Sequence, residues 1–255
     1  MQTLSVVVIT FNEAQNIGRC LQGVKDLADE IIVLDSFSTD HTCEMARELG
    51  ARVEQHAFDG HVEQKNRARA LASCDWVLSL DADEMPDELL RHSIQQVKEG
   101  KLDADAFTMN RLNFYCGRPV KTCGWYPDRK LRLWRRGLGA WTGRNPHDRY
   151  EVPTDKQVAQ LEGDILHLTY PGKEDLIRQS KKFAQISAQH LQQKSWLYLI
   201  AKMLSAPLFR FLRTWLAQGG WRSGKDGWDI CSWQTREVWM KYWLALHLKA
   251  GNEKA

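Results

Sequence analysis

The chain has 255 residues, of which 43% are hydrophobic and 26% charged, and a formal net charge of +3. These values are typical of a globular protein and exclude a disordered chain, and so small a net charge does not indicate a nucleic-acid-binding protein. The six cysteines form no C-x-x-C pair, which favours reduced thiols over a disulfide framework or a zinc site.

The first hundred residues alternate apolar runs with helical patterns. The runs predict strands over residues 4–9, 31–34, 52–53 and 76–80. Between them, helices are predicted to begin after the caps Asn12 and Asp40 and at His61, with Gly50 ending the second. This alternation predicts a parallel α/β sheet. The N-terminal segment lacks the features of a signal peptide, and no run reaches the roughly 20 uncharged apolar residues of a membrane-spanning helix.

Polar residues follow three of these strands. They are Thr10, Asn12 and Glu13 after the first, Asp35 and Ser36 after the second, and Asp81 and Asp83, on either side of Ala82, after the fourth. Because the carboxyl ends of parallel strands share one edge of the sheet, where ligands bind, we expect these residues to converge.

The spacing of Asp81 and Asp83 places both carboxylates on one face of an extended segment. Two adjacent carboxylates repel unless a cation lies beside them, and carboxylate oxygens suit Mg²⁺ or Mn²⁺. A helix cap and a solvated loop are the alternatives, although Asp87 is the better cap for the helix that follows.

The pattern changes after residue 105. Short strands and turns predict an antiparallel extension of the sheet as far as about His167, and helices dominate from Lys173 onward. We therefore predict a catalytic domain over residues 1–172, with a nucleotide-binding part (1–105) and an acceptor and metal part (106–172). A helical, tryptophan-rich extension follows over residues 173–255.

Several segments resemble successive motifs of one enzyme family. The segments are "SVVVITFNEAQNIGRCL", "EIIVLDSFSTDHT", "QKNRARALASCDWVLSLDADE", "RKLRLWRRG", "NPHDR" and "GGWRSGKDGW". Together they resemble family 2 glycosyltransferases, which have the GT-A fold, and are most similar to the WaaE/KdtX branch, whose members add a β-glucosyl residue to the inner-core heptose of lipopolysaccharide.

The resemblance implies an inverting transfer from a UDP-sugar donor. Thr10, Asn12 and Glu13 would contact the nucleotide, Asp35 would accept a hydrogen bond from its base, and Ser36 would lie nearby. Asp81 would lie against the ribose and the metal, next to Ala82, and Asp83 would ligate the metal. Lys65 and Arg69 would line the uridine or diphosphate; the alternative for this i,i+4 pair is a solvated helix face.

The resemblance also implies a catalytic base in "NPHDRYEV". Asp148 is the candidate and Glu151 the second choice, although Asp148 can instead pair with the surrounding arginines. His167 would complete the metal site, or it is a hydrogen-bonded structural histidine.

Two further features concern partners. A basic stretch suits an anionic acceptor such as the lipopolysaccharide core, and no RNA-recognition motif accompanies it. Its members are Arg129, Lys130, Arg132, Arg135, Arg136, Arg144 and Arg149. The tail from Trp196 combines Trp, Phe and basic residues, which suits contact with a membrane surface; packing onto the catalytic domain is the alternative.

The leading hypothesis is a metal-dependent inverting glycosyltransferase that moves glucose from UDP-glucose to a lipopolysaccharide heptose. It would act in the cytoplasm, peripherally on the inner face of the cytoplasmic membrane. The alternatives are a family 2 enzyme for capsule, O-antigen or lipooligosaccharide, and a non-catalytic scaffold that binds nucleotide sugars. A scaffold would have no need of Asp35, Asp81, Asp83 and Asp148 together.

Overall fold

The computed structural model describes residues 1–144 and 147–252, without the side chains of Arg144, His147 and Asn252. The chain divides into two compact units. The first comprises residues 1–112 and 128–167, and the second comprises residues 113–127 and the chain from residue 168 onward. Segment 113–127, which we predicted with the catalytic domain, thus clusters with the C-terminal helices.

The first unit begins with the predicted parallel sheet. Its strands are β1 (Leu4–Thr10), β2 (Glu30–Asp35), β3 (Arg52–Gln55) and β4 (Trp76–Asp81), in the order β3-β2-β1-β4. The accompanying helices are α1 (Ile17–Val24), α2 (Thr42–Glu48), α3 (His61–Ala70) and α4 (Glu88–Lys98). Strand β1 is buried on both faces, as its continuous apolar run predicts.

The register confirms that the polar strand ends converge. Thr10 is paired with Asp35 across β1 and β2, and Ile9 with Asp81 across β1 and β4. Gln55 is paired with Asp35 across β2 and β3. The residues after these strands therefore leave the sheet at one edge.

The antiparallel extension follows β4 in the order β8-β6-β11-β5. Its strands are β5 (Glu84–Pro86), β6 (Ala106–Tyr115), β8 (Arg129–Arg135) and β11 (Val158–Tyr170), while β7 (Arg118–Pro119) pairs with the end of β6. A separate hairpin is formed by β9 (Ala140–Arg144) and β10 (His147–Glu151). The mixed sheet that the residue pattern predicts after residue 105 is confirmed.

Helices form most of the second unit. They are α5 (Lys173–Leu191), α6 (Trp196–Leu212) and α7 (Gly224–Asn252), with a π-helical turn (Arg213–Ala217) and a 3₁₀ turn (Gly220–Ser223) between the last two. Segment 113–127 contributes Tyr115, Val120 and Cys123 to a core shared with Leu176 and Ile230. Among the described residues, no helix is long and apolar enough to cross a bilayer.

Two predicted caps differ in outcome. Asp87 caps α4 as predicted, because its carboxylate accepts a hydrogen bond from the Leu90 amide at 2.7 Å. The prediction for Asn12 is wrong: α1 begins at Ile17, and Asn12 lies in the preceding loop with a φ of 54°. Asparagine adopts this left-handed conformation more readily than most residues because its side chain hydrogen-bonds locally.

Candidate active site

The loops after β1 and β2 are tied together by Asn12. Its amide oxygen accepts a hydrogen bond from the Thr39 N–H at 2.8 Å, and its own N–H donates to the Ser38 hydroxyl at 2.8 Å. Glu13 N–H donates to the Thr42 hydroxyl in the same way. These bonds fix the two loops that the sequence predicts to contact the nucleotide.

Asp35 is fully buried at the end of β2. Its carboxylate accepts hydrogen bonds from the Ser38 N–H at 2.9 Å and the Gln55 amide at 3.0 Å, and also from the Ser38 hydroxyl. Burial alone would raise the pKa of Asp35, but these hydrogen bonds outweigh it and lower that pKa. Asp35 is therefore a fixed, ionised acceptor at the sheet edge.

Thr10 is paired with Asp35, Ser36 follows Asp35, and Ala82 follows β4 at the same edge of the sheet. Thr10 is buried, and its hydroxyl has no hydrogen-bond partner among the residues that the structure describes. The Ser36 hydroxyl accepts from the Gln64 amide at 3.0 Å, and Ala82 is buried. A buried hydroxyl without a partner is uncommon, so Thr10 retains bonding capacity for a ligand.

Lys65 joins two of the predicted site acids. Its ammonium nitrogen lies 3.0 Å from the Asp81 carboxylate and 2.9 Å from the Asp148 carboxylate, and 4.5 Å from the centre of the Trp141 ring. The Lys65 side chain is buried. The solvated helix face that we considered for it is therefore not what the structure has, and Lys65 is the ion that brings Asp81 and Asp148 together.

A second cation reinforces this arrangement. The Arg132 guanidinium lies 3.0 Å from Asp81 and 3.1 Å from Glu84, whose side chain is inaccessible to solvent. Burial alone would raise the pKa of Asp81, but the charges of Lys65 and Arg132 hold it well below its usual range. Asp81 is thus ionised and paired with two cationic side chains. Its direct contact with a metal stays a prediction.

Glu84, which the sequence left without a role, is a hub of this network. Its carboxylate also accepts a hydrogen bond from the Asp81 N–H at 3.0 Å and lies 3.4 Å from Arg111. Arg111 in turn lies 2.8 Å from Asp128. Buried carboxylates require such partners. Leu131 and Leu133, the neighbours of Arg132 in β8, lie on the opposite face of the strand, so they were no signal that this arginine points inward.

The Arg69 side chain binds the segment around β9 and β10, not the polar edge of the parallel sheet. Its guanidinium donates to the Gly139 carbonyl and lies 3.4 Å from the Tyr150 hydroxyl. Gly139 has a φ of 70°, and a Cβ there would collide with the Glu151 backbone. Arg69 therefore supports the turn before β9, and its predicted contact with the nucleotide is not tested by these bonds.

The β9–β10 hairpin positions Asp148. The Tyr150 ring stacks on Trp134 with 3.6 Å between ring centres, and Trp141 meets both rings edge-on. Strand alternation then places Asp148, two residues before Tyr150, on the same face of β10. Asn145 and Pro146 of the "NPHDR" motif lie outside the described residues.

The candidate bases differ in their surroundings. The Asp148 carboxylate is largely buried beside Lys65, whereas Glu151 is half-exposed and paired with Arg149 at 2.5 Å. Only Asp148 is joined to the Asp81 network, so the geometry favours it over Glu151.

Asp83 and His167 form the candidate metal centre. Asp83 Oδ2 lies 3.0 Å from His167 Nε2, because β5 pairs antiparallel with β11 and sets Glu84 opposite His167. Burial raises the pKa of the nearby Glu13, and the negative charge of Asp83 adds to this effect, while a bond from Asn16 opposes it. The carboxylates of Glu13 and Asp83 therefore lie close enough to repel each other.

This pair fits Mg²⁺ or Mn²⁺ held partly by a substrate. Within the described ranges, no group of three His, Cys, Asp or Glu side chains forms a complete metal site. One carboxylate and one imidazole leave most coordination positions open, as expected of an ion that also binds phosphate oxygens. The residues present are therefore compatible with a metal that arrives together with a diphosphate.

The basic stretch does not form one surface. Arg132 is buried, the Arg135 guanidinium lies 4.6 Å from the centre of the Trp76 ring, and Arg136 donates to the Cys74 carbonyl. Lys130 pairs with Asp128 at 3.0 Å. Most of these cations have structural partners, so the sequence cluster overstates the positive charge that is available to an acceptor.

The Glycosyl transferase family 2 domain matches residues 5–146, more than half of the chain. The chain belongs to glycosyltransferase family 2. It is a glycosyltransferase with the GT-A fold.

Two relatives match most of the chain, and one solved structure matches less than half of it. An uncharacterised glycosyltransferase of Rickettsia prowazekii is 25% identical over 89% of this chain and 81% of its own length. The lipopolysaccharide core biosynthesis glycosyltransferase LpsC of Rhizobium meliloti is 26% identical over 88% of this chain and 84% of its own. Glucosyl-3-phosphoglycerate synthase from Mycobacterium tuberculosis, solved with Mn²⁺ and UDP, is 30% identical over 45% of this chain and 44% of its own, with a TM-score of 0.36.

Proposed function

We propose that this glycosyltransferase is an inverting, metal-dependent enzyme that transfers glucose from UDP-glucose to the inner-core heptose of lipopolysaccharide. The observation that carries the proposal is the convergence of Asp35, Asp81, Asp148 and the Asp83–His167 pair at one edge of the sheet. The resemblance to the WaaE/KdtX branch supports the donor and the acceptor, and the LpsC relative supports the lipopolysaccharide core.

Each acid has a distinct role in this proposal. Asp35 and the Thr10 hydroxyl bind the nucleoside, because one is a fixed ionised acceptor and the other lacks a partner. Asp83 and His167 hold the divalent ion, which when bound offsets negative charge on the diphosphate. Asp81 lies toward the ribose and keeps Lys65 in position.

Asp148 is the base. The acceptor hydroxyl oxygen attacks the anomeric carbon on the side opposite the diphosphate, the bond from that carbon to the diphosphate oxygen breaks, and UDP leaves. The hydroxyl proton passes to Asp148. A carboxylate is suited to this task because the hydroxyl becomes acidic only as the new bond forms. The configuration at the anomeric carbon is inverted by this single displacement.

The proposal is tested with purified protein, UDP-glucose, Mg²⁺ or Mn²⁺, and a heptose-terminated core oligosaccharide. We expect UDP release that depends on both the acceptor and the metal, and a product one hexose heavier than the acceptor. A panel of other UDP-sugars and of capsule, O-antigen and lipooligosaccharide acceptors provides the comparison.

Three results would change the assignment in different ways. Turnover with another sugar or acceptor would retain the family 2 activity and replace the substrates. Tight UDP-glucose binding with no UDP release from any acceptor would favour the scaffold hypothesis. A product with retained anomeric configuration would exclude the base role of Asp148.

A further inference from the structure

Helix α6 has one packed face. Leu199, Met203 and Ala206 contact Tyr242 and Ala245 of α7 in a buried cluster. Leu199 is fully buried there. This face accounts for how α6 is held in the second unit.

The opposite face of α6 carries large apolar side chains that are exposed. Leu197, Leu204 and Leu208 recur at spacings of seven and four residues, which places them on one side of the helix. They are 79%, 71% and 62% exposed. Phe209 and Leu212 of α6 are also exposed, and we call these five residues the α6 outer surface. Leu216 and Trp221, in the two turns that follow α6, are exposed as well.

Such a surface has no stabilising contact with water. Single exposed leucines are ordinary, but a continuous row of large apolar side chains on one helix marks a contact site. Within the residues that the structure describes, this row lies on a helix that is also apolar on its packed face.

The charge of the surrounding chain indicates what covers it. Residues 176–225 contain no aspartate or glutamate and nine basic side chains. Of these, Lys202 and Arg213 are exposed on α6 and in the π-helical turn. An apolar helix face flanked by cations matches the boundary between the acyl chains and the headgroups of an anionic lipid layer, whereas a second copy would set these like charges against each other.

Exposed tryptophans also favour contact with a lipid layer. Trp221 and Trp228 are each more than half exposed, and tryptophan is favoured at the membrane interface, where its ring is apolar and its N–H remains hydrated. An apolar helix face flanked by cations suits contact in the plane of the interface.

We propose that the α6 outer surface lies in the interface of an anionic lipid monolayer. Leu197, Leu204, Leu208 and Phe209 enter the acyl boundary, and Lys202 and Arg213 bind phosphate headgroups. This binding does not depend on the identity of the donor or acceptor sugar, so it is measured apart from the transferase reaction.

The test is flotation of the full chain with acceptor-free vesicles. We expect binding to phosphatidylcholine vesicles that contain phosphatidylglycerol, weaker binding to phosphatidylcholine alone, and weaker binding as salt increases. Leu204→Gln plus Leu208→Gln, which changes no charge, is expected to lower the partition coefficient at least about 100-fold, since each buried leucine contributes about tenfold or more. Lys202→Gln plus Arg213→Gln should lower it about 10-fold or more and reduce the salt dependence.

The control is Leu89→Gln plus Leu248→Gln, which removes two exposed leucines from α4 and α7. It should bind vesicles like the unaltered chain, and circular dichroism should show that all variants are folded. Equal loss of binding in this control, or unchanged binding of the Leu204 and Leu208 variant, would overturn the proposal. The proposal would also be overturned if the unaltered chain formed a concentration-dependent dimer and did not bind vesicles, while the Leu204 and Leu208 variant was a monomer.

Discussion

Asp83 Oδ2 and His167 Nε2 lie 3.0 Å apart although 84 positions separate the two residues in the sequence. Strand β5 is responsible, because its antiparallel pairing with β11 sets Glu84, the residue after Asp83, opposite His167. Two atoms of the kinds that bind divalent ions are thus held at the carboxyl edge of the parallel sheet.

Replacing Asp83 with alanine should strongly weaken the metal-dependent binding of UDP. Because the pair supplies the protein ligands that we propose, the apparent Kd for Mn²⁺ in the presence of UDP should rise at least about 100-fold, and by about 10–100-fold for His167→Ala. Isothermal titration calorimetry with Mn²⁺ and UDP measures both without turnover.

Asp87→Ala is the matched control for this acidic segment. Asp87 caps α4, so its removal should lower the free energy of unfolding by about 1 kcal/mol and leave Mn²⁺ affinity unchanged. Unaltered Mn²⁺ affinity in Asp83→Ala would remove Asp83 from the metal centre.

Asp148→Asn should lower kcat about 10²- to 10⁴-fold. The asparagine side chain keeps the shape of the hairpin but cannot accept the acceptor's proton. Steady-state UDP release measures the loss, and Kd for UDP should be nearly unchanged because Asp148 is not assigned to the nucleotide.

Glu151→Gln is the comparison for that experiment. Glu151 is half-exposed and its partner is Arg149, so the change should alter kcat less than about threefold, with a stability effect below about 1 kcal/mol. The reverse pattern, with activity lost in Glu151→Gln and kept in Asp148→Asn, would transfer the role of base to Glu151.

Lys65→Met should destabilise the fold by about 3–5 kcal/mol. The change leaves the Asp148 carboxylate without its buried cation and Asp81 with Arg132 alone, and removing one partner of a buried ion pair is costly. Urea unfolding followed by tryptophan fluorescence measures the free energy of unfolding.

Arg52→Ala removes the cation of an exposed pair with Glu54 and should cost less than about 1 kcal/mol. Equal costs for the two variants would mean that Lys65 contributes no more than a surface ion. A Lys65→Met protein as stable as the unaltered chain would show that Arg132 alone suffices for Asp81.

Asp35 should make stability depend on pH. Its pKa is lowered in the folded chain, so its contribution is fully present above the unfolded value of about 4 and is lost as pH falls through the lower folded pKa. At neutral pH, Asp35→Asn should cost about 1.5–3 kcal/mol, because the carboxylate's partners are all donors.

The measurement is urea unfolding of both proteins at neutral pH and at several values below about 4. The difference in unfolding free energy between the two should shrink as pH falls. A difference that stays constant, or grows toward low pH, would show that the Asp35 pKa is not lowered by folding.

The parallel half of the fold and its polar edge were predictable because both are local properties. Apolar runs that alternate with capped helical patterns predict a parallel sheet. The end of each run then shows which residues follow the strand at the edge where ligands bind. Asp35, Asp81 and Asp83 could therefore be placed at one edge before any contact was known. Asp87 was predicted as a cap for the same local reason.

The contacts of those residues were not predictable. Arg132 lies in a sequence cluster of cations that suggests a surface, yet it is buried against Asp81 and Glu84. Asn12 is a residue type that often caps helices, but the loop after β1 continues to Asn16 and α1 begins only at Ile17. In both cases a partner distant in the sequence decides the outcome, and residue type alone does not contain that partner.

The sequence by itself determined the family, the parallel sheet and the acids at its edge, since these follow from periodicity and from motifs read along the chain. Only the tertiary structure decided that Lys65 joins Asp81 to Asp148, that Asp83 meets His167, and that α6 is apolar on its exposed face. The physical reason is that ion pairs, strand pairing and burial are relations between distant segments. The free energies of ion pairs and buried contacts depend on which groups are removed from water together, and only the folded chain determines which groups those are.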